Sequence, residues 1–469
     1  MGNHFAPTQV TAQLVEFAVA APNRTLPADV AAMARHVLLD TVGAMVGACE
    51  PRYAIGGILR EFAKEQGGAR LASVVGADFM TGPALAVTVN ATLAYALDIE
   101  SLVGRSITHS AAVVVPVAIA IAEAYGATGR ELLRAIVVGI DLADRVSRAI
   151  TPQAMYARGF HPTSVAGSPA AALTASVILR LDSLTTLRAL GLACTQSSGL
   201  MAWESDSTEQ SRPFNVGIAA RNGVTAALLA RLGYGGPEDA IAGRDGLLYA
   251  FGGERASWEM LDEKLGERFA IIESQFKQFA CCAFLQPGVE AVVHLTEEHR
   301  FEAADVEMIE LHYPRTGAPV IDGNALRSHC AQYVLAVALT RREVTFDDIV
   351  TDWRLTDTAI RELSRRVVVH HSLELDREFP ERYTSRVVIG LRDGRRFEAT
   401  VVFPRGHPNN PMTPDELTTK FMRLAMPVMG REAAHRLATL VDDIETAESV
   451  RPLARALRSH DHVPVARPV

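Results

Sequence analysis

The sequence lacks the residues and motifs that mark several large protein classes. Aromatic residues make up only 6% of its 469 residues, and its five cysteines include no C-x-x-C spacing. A disulfide framework and a multi-cysteine zinc or iron–sulfur site are therefore disfavoured, because both need paired cysteines. The G-x-x-x-x-G-K-[ST], G-x-G-x-x-G, G-x-S-x-G and H-E-x-x-H patterns are also missing from the sequence. Their absence weakens phosphoryl transfer, dinucleotide chemistry, α/β-hydrolase chemistry and zinc proteolysis as functions.

Charge and apolar runs narrow the choice of partner and compartment. The net charge of −8 disfavours nucleic acid and anionic membranes as partners, although it does not disfavour an acidic substrate. The longest apolar run, Ala111–Ala122, is interrupted by Pro116 and is shorter than the roughly 20 residues that span a bilayer. The first residues, MGNHFAPTQV, contain no basic run followed by an apolar run, so they do not predict a secretory signal. We expect a soluble, cytoplasmic protein.

The apolar residues of the first half recur at the helical period. Several of the segments are apolar nearly all round and rich in alanine and glycine, which is typical of helices buried inside a large bundle or at an oligomer interface. Thr128 and Glu131 have the spacing of a capping box. The pattern predicts helices over Pro27–Ala48, Pro83–Leu97, Ser110–Tyr125, Thr128–Ala149, Ser164–Leu179, Ser183–Cys194 and Val216–Leu232.

The pattern changes after about residue 275. A strand is predicted over Asp305–Tyr313, and alternating apolar residues over Tyr383–Phe403 predict a hairpin that turns at Asp393-Gly394. Helices are predicted between these strands, near Ser328–Leu339 and Asp357–Arg366, and again after the capping pattern Thr413-Pro-Asp-Glu416. The chain is therefore predicted to be mainly α. It divides into a first helical part at 1–274, a smaller α+β domain at 275–411, and a second helical part at 412–469.

Four segments place ionisable residues at the ends of apolar helices. They are ALDIE followed by THS (96–100 and 108–110), GFHPT (159–163), RPFNVG (212–217) and FKQFACC (276–282). Taken singly, each of these residues is equally well explained as a helix cap, a turn residue or a buried polar group. Taken together, they indicate a possible acid–base site without naming a reaction. The adjacent His370 and His371 would point to opposite faces of a strand, so they do not predict a shared metal site.

The same four segments resemble those of the MmgE/PrpD family, and the resemblance covers nearly the whole chain. The family includes 2-methylcitrate dehydratase, cis-aconitate decarboxylase and iminodisuccinate epimerase. Its Ala-Leu-Asp-Phe-Asp-Asp run followed by Thr-His-Pro corresponds here to ALDIES and THS, and its Phe-His-Pro-Thr segment is intact at 160–163. Its Thr-Lys-x-Leu-His segment corresponds to SRPFN, its lysine before Pro-Cys-Cys to FKQFACC, and its Asn-Pro-Met-Thr loop to HPNNPMT.

The resemblance implies both an architecture and a site. A large all-helical domain would be built from the two ends of the chain, with the α+β domain inserted between them as a lid, and two copies would form a homodimer through the helical domain. The site would lie between the domains and would need neither a metal nor an organic cofactor. The residues that match family active-site positions are Asp98, His109, His161 and Lys277, with Tyr333 matching a lid tyrosine.

Several positions around the implied site depart from the family pattern. The family lysine of the third segment is Arg212 here, which would bind a substrate carboxylate rather than transfer a proton. The histidine that follows it is Asn215, the second and third acids of the first segment are Glu100 and Ser101, and the proline after the Thr-His pair is Ser110. These changes suggest a substrate that differs from those of the named members.

Three reactions and one non-catalytic function follow from the resemblance. The first hypothesis is a hydro-lyase similar to 2-methylcitrate dehydratase: His109 or His161 would remove an α-proton from a small polycarboxylate, and Lys277 would stabilise the enediolate. Epimerisation and decarboxylation of a related acid are the alternatives. A binding protein that has kept the scaffold without activity remains the fourth possibility.

Overall fold

The fold is mainly helical, as predicted. The computed structural model describes residues 7–350 and 357–458. The first six residues, the segment 351–356 and the tail from 459 onwards lie outside the described part of the chain.

The first part of the chain, up to the two-residue strand β4, is built from helices and four short strands. The helices are α1 (Pro7–Ala20), α2 (Ala28–Gly47), α3 (Ala54–Gln66), α4 (Pro83–Ala96), α5 (Ser110–Tyr125), α6 (Gly129–Ile150), α7 (Pro152–Ala157), α8 (Pro162–Ile178), α9 (Ser183–Cys194), α10 (Ser211–Arg231) and α11 (Glu259–Asp262). The short strands are β1 (Ala72–Ser73), β2 (Met80–Thr81), β3 (Leu102–Val103) and β4 (Ser274–Gln275). β1 pairs with β2, and β3 pairs with β4, both antiparallel.

Local sequence signals explain most of these helices. Thr128 accepts a hydrogen bond from the Glu131 backbone while the Glu131 side chain accepts from the Thr128 backbone, so α6 begins with the predicted capping box. The starts of α8 and α10 were predicted too late, by two and five residues. Each of these helices has a proline in its first turn, at Pro162 and Pro213, where a missing N–H group costs nothing.

Small residues allow the central helices to pack closely. Almost every residue of α4, α5 and α8 is buried. At Gly223 of α10, an added Cβ would lie 2.4 Å from the Ala171 side chain and 2.4 Å from the Ser168 carbonyl oxygen, both on α8. The two helix backbones can therefore meet only because this position carries no side chain.

The second part of the chain contains the main sheet. Its helices are α12 (Gln286–His299), α13 (Ala318–Ile321), α14 (Ala331–Arg341), α15 (Phe346–Val350) and α16 (Thr358–Ser364), and its strands are β5 (Val306–Pro314), β6 (Val367–Ser372), β7 (Ser385–Leu391) and β8 (Arg396–Val401). The strand order is β6-β5-β7-β8, with β5 and β6 parallel and the other pairs antiparallel. Both the predicted strand and the predicted hairpin are present. β6, at the edge of the sheet, was missed, because its run of three valines and two histidines does not alternate.

The C-terminal helices return to the first helical part. They are α17 (Pro414–Met429), α18 (Arg431–Asp442) and α19 (Arg451–Ala456), and α17 begins with the predicted capping box at Thr413 and Glu416. The ring of Phe421 packs against Gly43 of α2, and the Leu457 carbonyl accepts a hydrogen bond from the Gly76 backbone. The C-terminal helices therefore pack against the first helical part of the chain. The domain limits at 275 and 411, and the lid role, remain predictions.

Within residues 7–350 and 357–458, one helix is long and apolar enough to span a membrane by length and composition. This helix is α2, and 78% of its most apolar window is buried inside the protein. The core helix of a soluble protein passes the same test, and a soluble protein is consistent with this burial.

Candidate active site

The centre of the site is Asp98, in the turn that follows α4. Asp98 has a φ of 52°, the left-handed region, which aspartate tolerates better than most residues. Lys277 donates from Nζ to the Asp98 carboxylate (Oδ1, 2.5 Å) and to the Asp98 main-chain carbonyl (2.9 Å). Arg212 donates to the same Oδ1 at 3.2 Å. The backbone turn and the two cations thus hold one buried carboxylate.

Short-range pairing brings residues distant in the chain to this turn. β3 follows Asp98 and pairs with β4, with Leu102 opposite Gln275. Lys277 lies directly after β4, so the pairing carries its side chain to the turn. Arg212 lies in the first turn of α10, which packs against α4 and stacks the Arg212 guanidinium over the Tyr95 ring at 4.5 Å.

The charges of this cluster follow from burial and from neighbouring ions. Burial alone would raise the pKa of Asp98, but Arg212 and Lys277 outweigh it and hold that pKa well below its usual range. Burial would lower the pKa of Lys277, but Asp98 and Glu100 outweigh it, so its pKa is raised and the ammonium group stays charged. Asp98 Oδ2 and Arg212 Nε have no hydrogen-bond partner within the described chain, although both are buried. Such atoms are candidates for ligand contacts.

His109 lies directly before α5 and contacts Glu100. Its Nδ1 lies 2.6 Å from Glu100 Oε1, and its backbone N–H donates to the Thr163 hydroxyl. Glu100, which the sequence marked only as a departure from the family pattern, is completely buried and also lies 3.8 Å from Lys277 Nζ.

The Glu100–His109 pair titrates near neutral pH. Burial raises the pKa of Glu100 to about 7, although Lys277 opposes the rise. Burial and then the charge of Lys277 lower the pKa of His109 well below its usual value. Below pH 7 the pair therefore carries its extra proton on Glu100 and keeps the imidazole neutral. The two groups lie 2.6 Å apart, but neither His109 Nδ1 nor Glu100 Oε1 has a hydrogen bond of normal geometry within the described chain.

His161 lies directly before α8, as its Phe-His-Pro-Thr segment suggested. Its Nε2 lies 3.3 Å from the Tyr95 hydroxyl and its Nδ1 3.2 Å from the Ser164 hydroxyl. Burial, with the charges of His109 and Arg212, lowers the pKa of His161 to about 3. The ring is therefore neutral and can act as a base or a hydrogen-bond donor.

Sequence analysis missed a third histidine of the cluster. His329 lies just before α14, with Nδ1 2.8 Å from the Ser328 hydroxyl oxygen and 4.0 Å from Asp98 Oδ2. Burial and the charges of Arg212 and Lys277 lower its pKa to about 3, although Asp98 opposes this. The available signal was a histidine directly before a buried helix, as at His109 and His161.

The three histidines and Asp98 line one cavity. The other lining residues are mostly apolar or aromatic: Tyr95, Leu102, Ile107, Tyr156, Met201, Trp203, Cys282, Ala283, Phe284 and Val320. The Trp203 ring lies edge-on to His161 and His329, at 5.6 and 5.7 Å between ring centroids. Five of the six predicted site residues thus lie in one cluster, with Lys277 and Arg212 behind Asp98.

Tyr333, the sixth predicted residue, is not placed in this cluster. It lies in α14 and is buried, and its hydroxyl donates to the main-chain carbonyl of Asp348 in α15. It is not among the residues that line the cavity. The Tyr333 side chain points from α14 towards α15, whereas His329, just before α14, lines the cavity.

The described residues contain no group of three histidine, cysteine, aspartate or glutamate side chains arranged to hold a metal ion. The five cysteines are free and buried. What the cluster offers is proton transfer by neutral imidazoles, with fixed positive charge beside it. Such a site, in a mainly helical chain, defines an acid–base enzyme.

Comparison with known proteins identifies the family. The MmgE/PrpD N-terminal domain model matches residues 12–259, and the C-terminal domain model matches 279–446. The chain therefore belongs to the MmgE/PrpD family, as its motifs predicted. It is 29% identical to a cis-aconitate decarboxylase-like protein of Aspergillus oryzae, over 95% of this chain and 96% of that protein. It is 26% identical to the cis-aconitate decarboxylase of Aspergillus terreus (96% of each chain) and 27% identical to that of Mus musculus (81% and 80%). The protein is a lyase of this family.

Proposed function

We propose that this lyase decarboxylates a small unsaturated polycarboxylate of the cis-aconitate type and needs no cofactor for that step. The observation that carries the proposal is the cavity itself, in which neutral histidines surround Asp98 and its two buried cations. The names of the relatives support decarboxylation over the dehydration that we expected first.

The chemistry can be followed from the residues. When the bond to a carboxylate breaks and carbon dioxide leaves, its electron pair shifts into the remaining unsaturated acid and adds negative charge there. Lys277 and Arg212 provide fixed positive charge beside the cavity, which stabilises that charge without reorganisation. A carbon of the shifted system then takes a proton, and the Glu100–His109 pair can supply it near neutral pH.

Dehydration remains a second candidate on one specific observation. Removing an α-proton and expelling a hydroxyl needs a base and an acid together. His161 is a neutral base with its pKa lowered to about 3, and Glu100 is an acid with its pKa raised to about 7. The same residues would therefore serve a hydro-lyase.

One experiment separates these reactions. The full-length protein is incubated in heavy water with cis-aconitate, 2-methylcitrate, citrate and iminodisuccinate, and products are followed by NMR and by carbon dioxide release. We expect carbon dioxide together with a product that carries one solvent deuterium on carbon. An alkene without carbon dioxide would indicate the hydro-lyase, and deuterium in recovered substrate alone would indicate an epimerase. No change in any of the four acids would contradict the proposal.

Two further properties are proposed from the family resemblance. Two copies of the chain would associate through the helical part, and residues 275–411 would act as a lid, in a protein of the cytoplasm. Light scattering of the purified protein tests the dimer directly, and a monomeric mass at micromolar concentration would contradict it.

A further inference from the structure

A buried glutamate lies behind His329 and is connected to it by one hydroxyl group. Glu209 lies in the loop before α10, is 5% exposed, and has a φ of 61°. A glutamate at positive φ is uncommon, and such strain persists where the surroundings enforce it. Ser328 contributes to holding the glutamate in place, because its backbone N–H donates a hydrogen bond to Glu209 Oε1 at 3.1 Å.

The hydrogen bonds around Ser328 fix where its proton lies. The Ser328 hydroxyl donates to Glu209 Oε2 at 2.7 Å, and its oxygen also lies 2.8 Å from His329 Nδ1. A serine has one hydroxyl proton, and an ionised carboxylate can only accept. With Glu209 ionised, that proton points to Glu209, so His329 Nδ1 must be the donor to the Ser328 oxygen. His329 then carries its proton on Nδ1 and has its lone pair on Nε2.

We propose that His329 is a further base of this enzyme. Glu209, acting through Ser328, sets the tautomer of the His329 ring and takes up a proton whenever the ring gains one. When Nε2 takes a proton from the substrate, the Nδ1 proton passes to the Ser328 oxygen and the former hydroxyl proton passes to Glu209 Oε2. Three bonds form, Nε2–H, a new Ser328 O–H and Glu209 Oε2–H, and three break, the substrate C–H, the Nδ1–H and the original Ser328 O–H. The imidazole therefore ends neutral and Glu209 ends protonated. The catalytic part of this proposal rests on the proposed lyase function, whereas the tautomer does not.

The charges around His329 explain why a proton should not remain on its ring. Arg212 from α10 and Lys277 after β4 are positive, Asp98 is negative, and His109 and the Trp203 ring complete the surroundings. An imidazolium would sit close to these two cations in a buried site, which disfavours it, although Asp98 opposes their effect.

Glu209 is suited to accept the proton instead. Burial raises its pKa, against the charge of Arg212 and the hydrogen bonds from Ser328, and the charge of Asp98 adds to the rise. Ser328 is the link between the two groups, and both Glu209 and Ser328 are positioning residues because they act through His329.

The first test measures the tautomer in the ligand-free, full-length protein. Protein labelled with ¹⁵N-histidine is studied by NMR at pH 7, and the His329 signal is assigned by its loss in His329→Asn. We expect the proton on Nδ1 in the wild type. In Glu209→Gln the amide N–H₂ donates to the Ser328 oxygen, Ser328 donates to Nδ1, and the proton moves to Nε2. A wild-type proton on Nε2, or an unchanged tautomer in Glu209→Gln, would overturn the relay.

The second test measures turnover on the polycarboxylate that the deuterium experiment identifies. We expect Glu209→Gln and Ser328→Ala each to lower kcat about 10²-fold with KM within about threefold. The control is Glu204→Gln in the same loop region, with kcat within about twofold of wild type. Thermal melting shows that each variant is folded. A normal kcat in a Glu209→Gln variant whose tautomer has changed would overturn the role of His329 as a base. Absence of turnover by the wild type would contradict the lyase proposal, while the NMR result would still decide the relay.

Discussion

Two histidines that line the same cavity each have a buried glutamate behind them, but the two pairs are built differently. His109 comes from the helical part and contacts Glu100 directly at 2.6 Å. His329 comes from the second part of the chain and reaches Glu209 only through the Ser328 hydroxyl. Direct contact lets the charge of one group act on the other, whereas a serine between the groups imposes a direction on both hydrogen bonds. The same residue types therefore produce an acid in one place and, as we propose, a base in the other.

The largest effect should come from Lys277→Met. Lys277 Nζ lies 2.5 Å from Asp98, the carboxylate near His329, and 3.8 Å from Glu100, the carboxylate that contacts His109. We expect turnover to fall about 10³-fold, as fixed positive charge is lost where negative charge develops. The free energy of unfolding should fall by about 3 kcal/mol, because Asp98 loses a buried partner. Turnover assays and urea denaturation measure the two effects.

The chain offers a matched control for this substitution. Lys420 donates to Asp40 Oδ1 at 2.5 Å and to the Ile99 carbonyl at 2.7 Å, so it forms the same kind of pair outside the cavity lining. Lys420→Met should cost similar stability but lower turnover by less than about tenfold. Equal losses of turnover in both variants would show that Lys277 matters only for folding.

The next largest effects should distinguish the roles of His109 and His161, the two histidines predicted from the sequence. His109→Gln removes the proton donor beside Glu100, and we expect turnover to fall about 10²-fold. The turnover of His161→Gln should fall by a similar factor only if His161 exchanges a proton with the substrate. Single-turnover kinetics in heavy water measure this, since deuterium uptake reports proton transfer directly. Unchanged turnover in His161→Gln would remove His161 from the mechanism.

Glu100→Gln should alter the pH dependence of stability as well as the rate of turnover. Because the pKa of Glu100 rises from 4.5 to about 7 on folding, the folded state holds this proton more tightly than the unfolded state. Its contribution to stability is complete below pH 4.5 and is lost as pH rises to about 7, by about 2–3 kcal/mol. Urea denaturation at pH 5 and pH 7.5 should show a smaller fall for Glu100→Gln than for wild type. If stability fell equally in the variant and the wild type between pH 5 and pH 7.5, a group other than Glu100 would be responsible for the loss.

The smallest effect should come from Tyr333→Phe. Its hydroxyl donates to the Asp348 carbonyl, so we expect a loss of about 1 kcal/mol in the free energy of unfolding. Turnover should remain within about twofold of wild type, measured at saturating substrate. A loss of 10²-fold in turnover at normal stability would return Tyr333 to the active site and contradict its placement here.

The sequence was most informative where a signal is local. Thr128 with Glu131, and Thr413 with Glu416, predicted helix starts that the structure confirms, because both partners of a capping box lie within four residues. The Asp393-Gly394 hairpin was found for the same reason. Five of the predicted site residues lie in one cluster, and their roles remain predictions from motifs that resemble the family.

The relay behind His329 could not be found in this way. Ser328 and Glu209 are 119 residues apart in the chain, and no periodic pattern encodes their contact. Glu209 lies in the polar run SDSTEQ, which is typical of a solvent-exposed loop. In the folded protein Glu209 is nevertheless buried, next to Ser328 of the second part of the chain. Tyr333 shows a different limit: a motif gives a position in the chain but not the direction in which the side chain points.

Two consecutive carbonyl groups in the Asp98 turn are each held by a lysine, at residue 98 by Lys277 and at residue 99 by Lys420 of α17. During translation these anchors are made far apart in time, and the second emerges close to the end of the chain. A nascent polypeptide that already contains every histidine of the cavity therefore still has this turn only half anchored. The full set of hydrogen bonds to this turn therefore forms only after α17 has been made and has packed against α2.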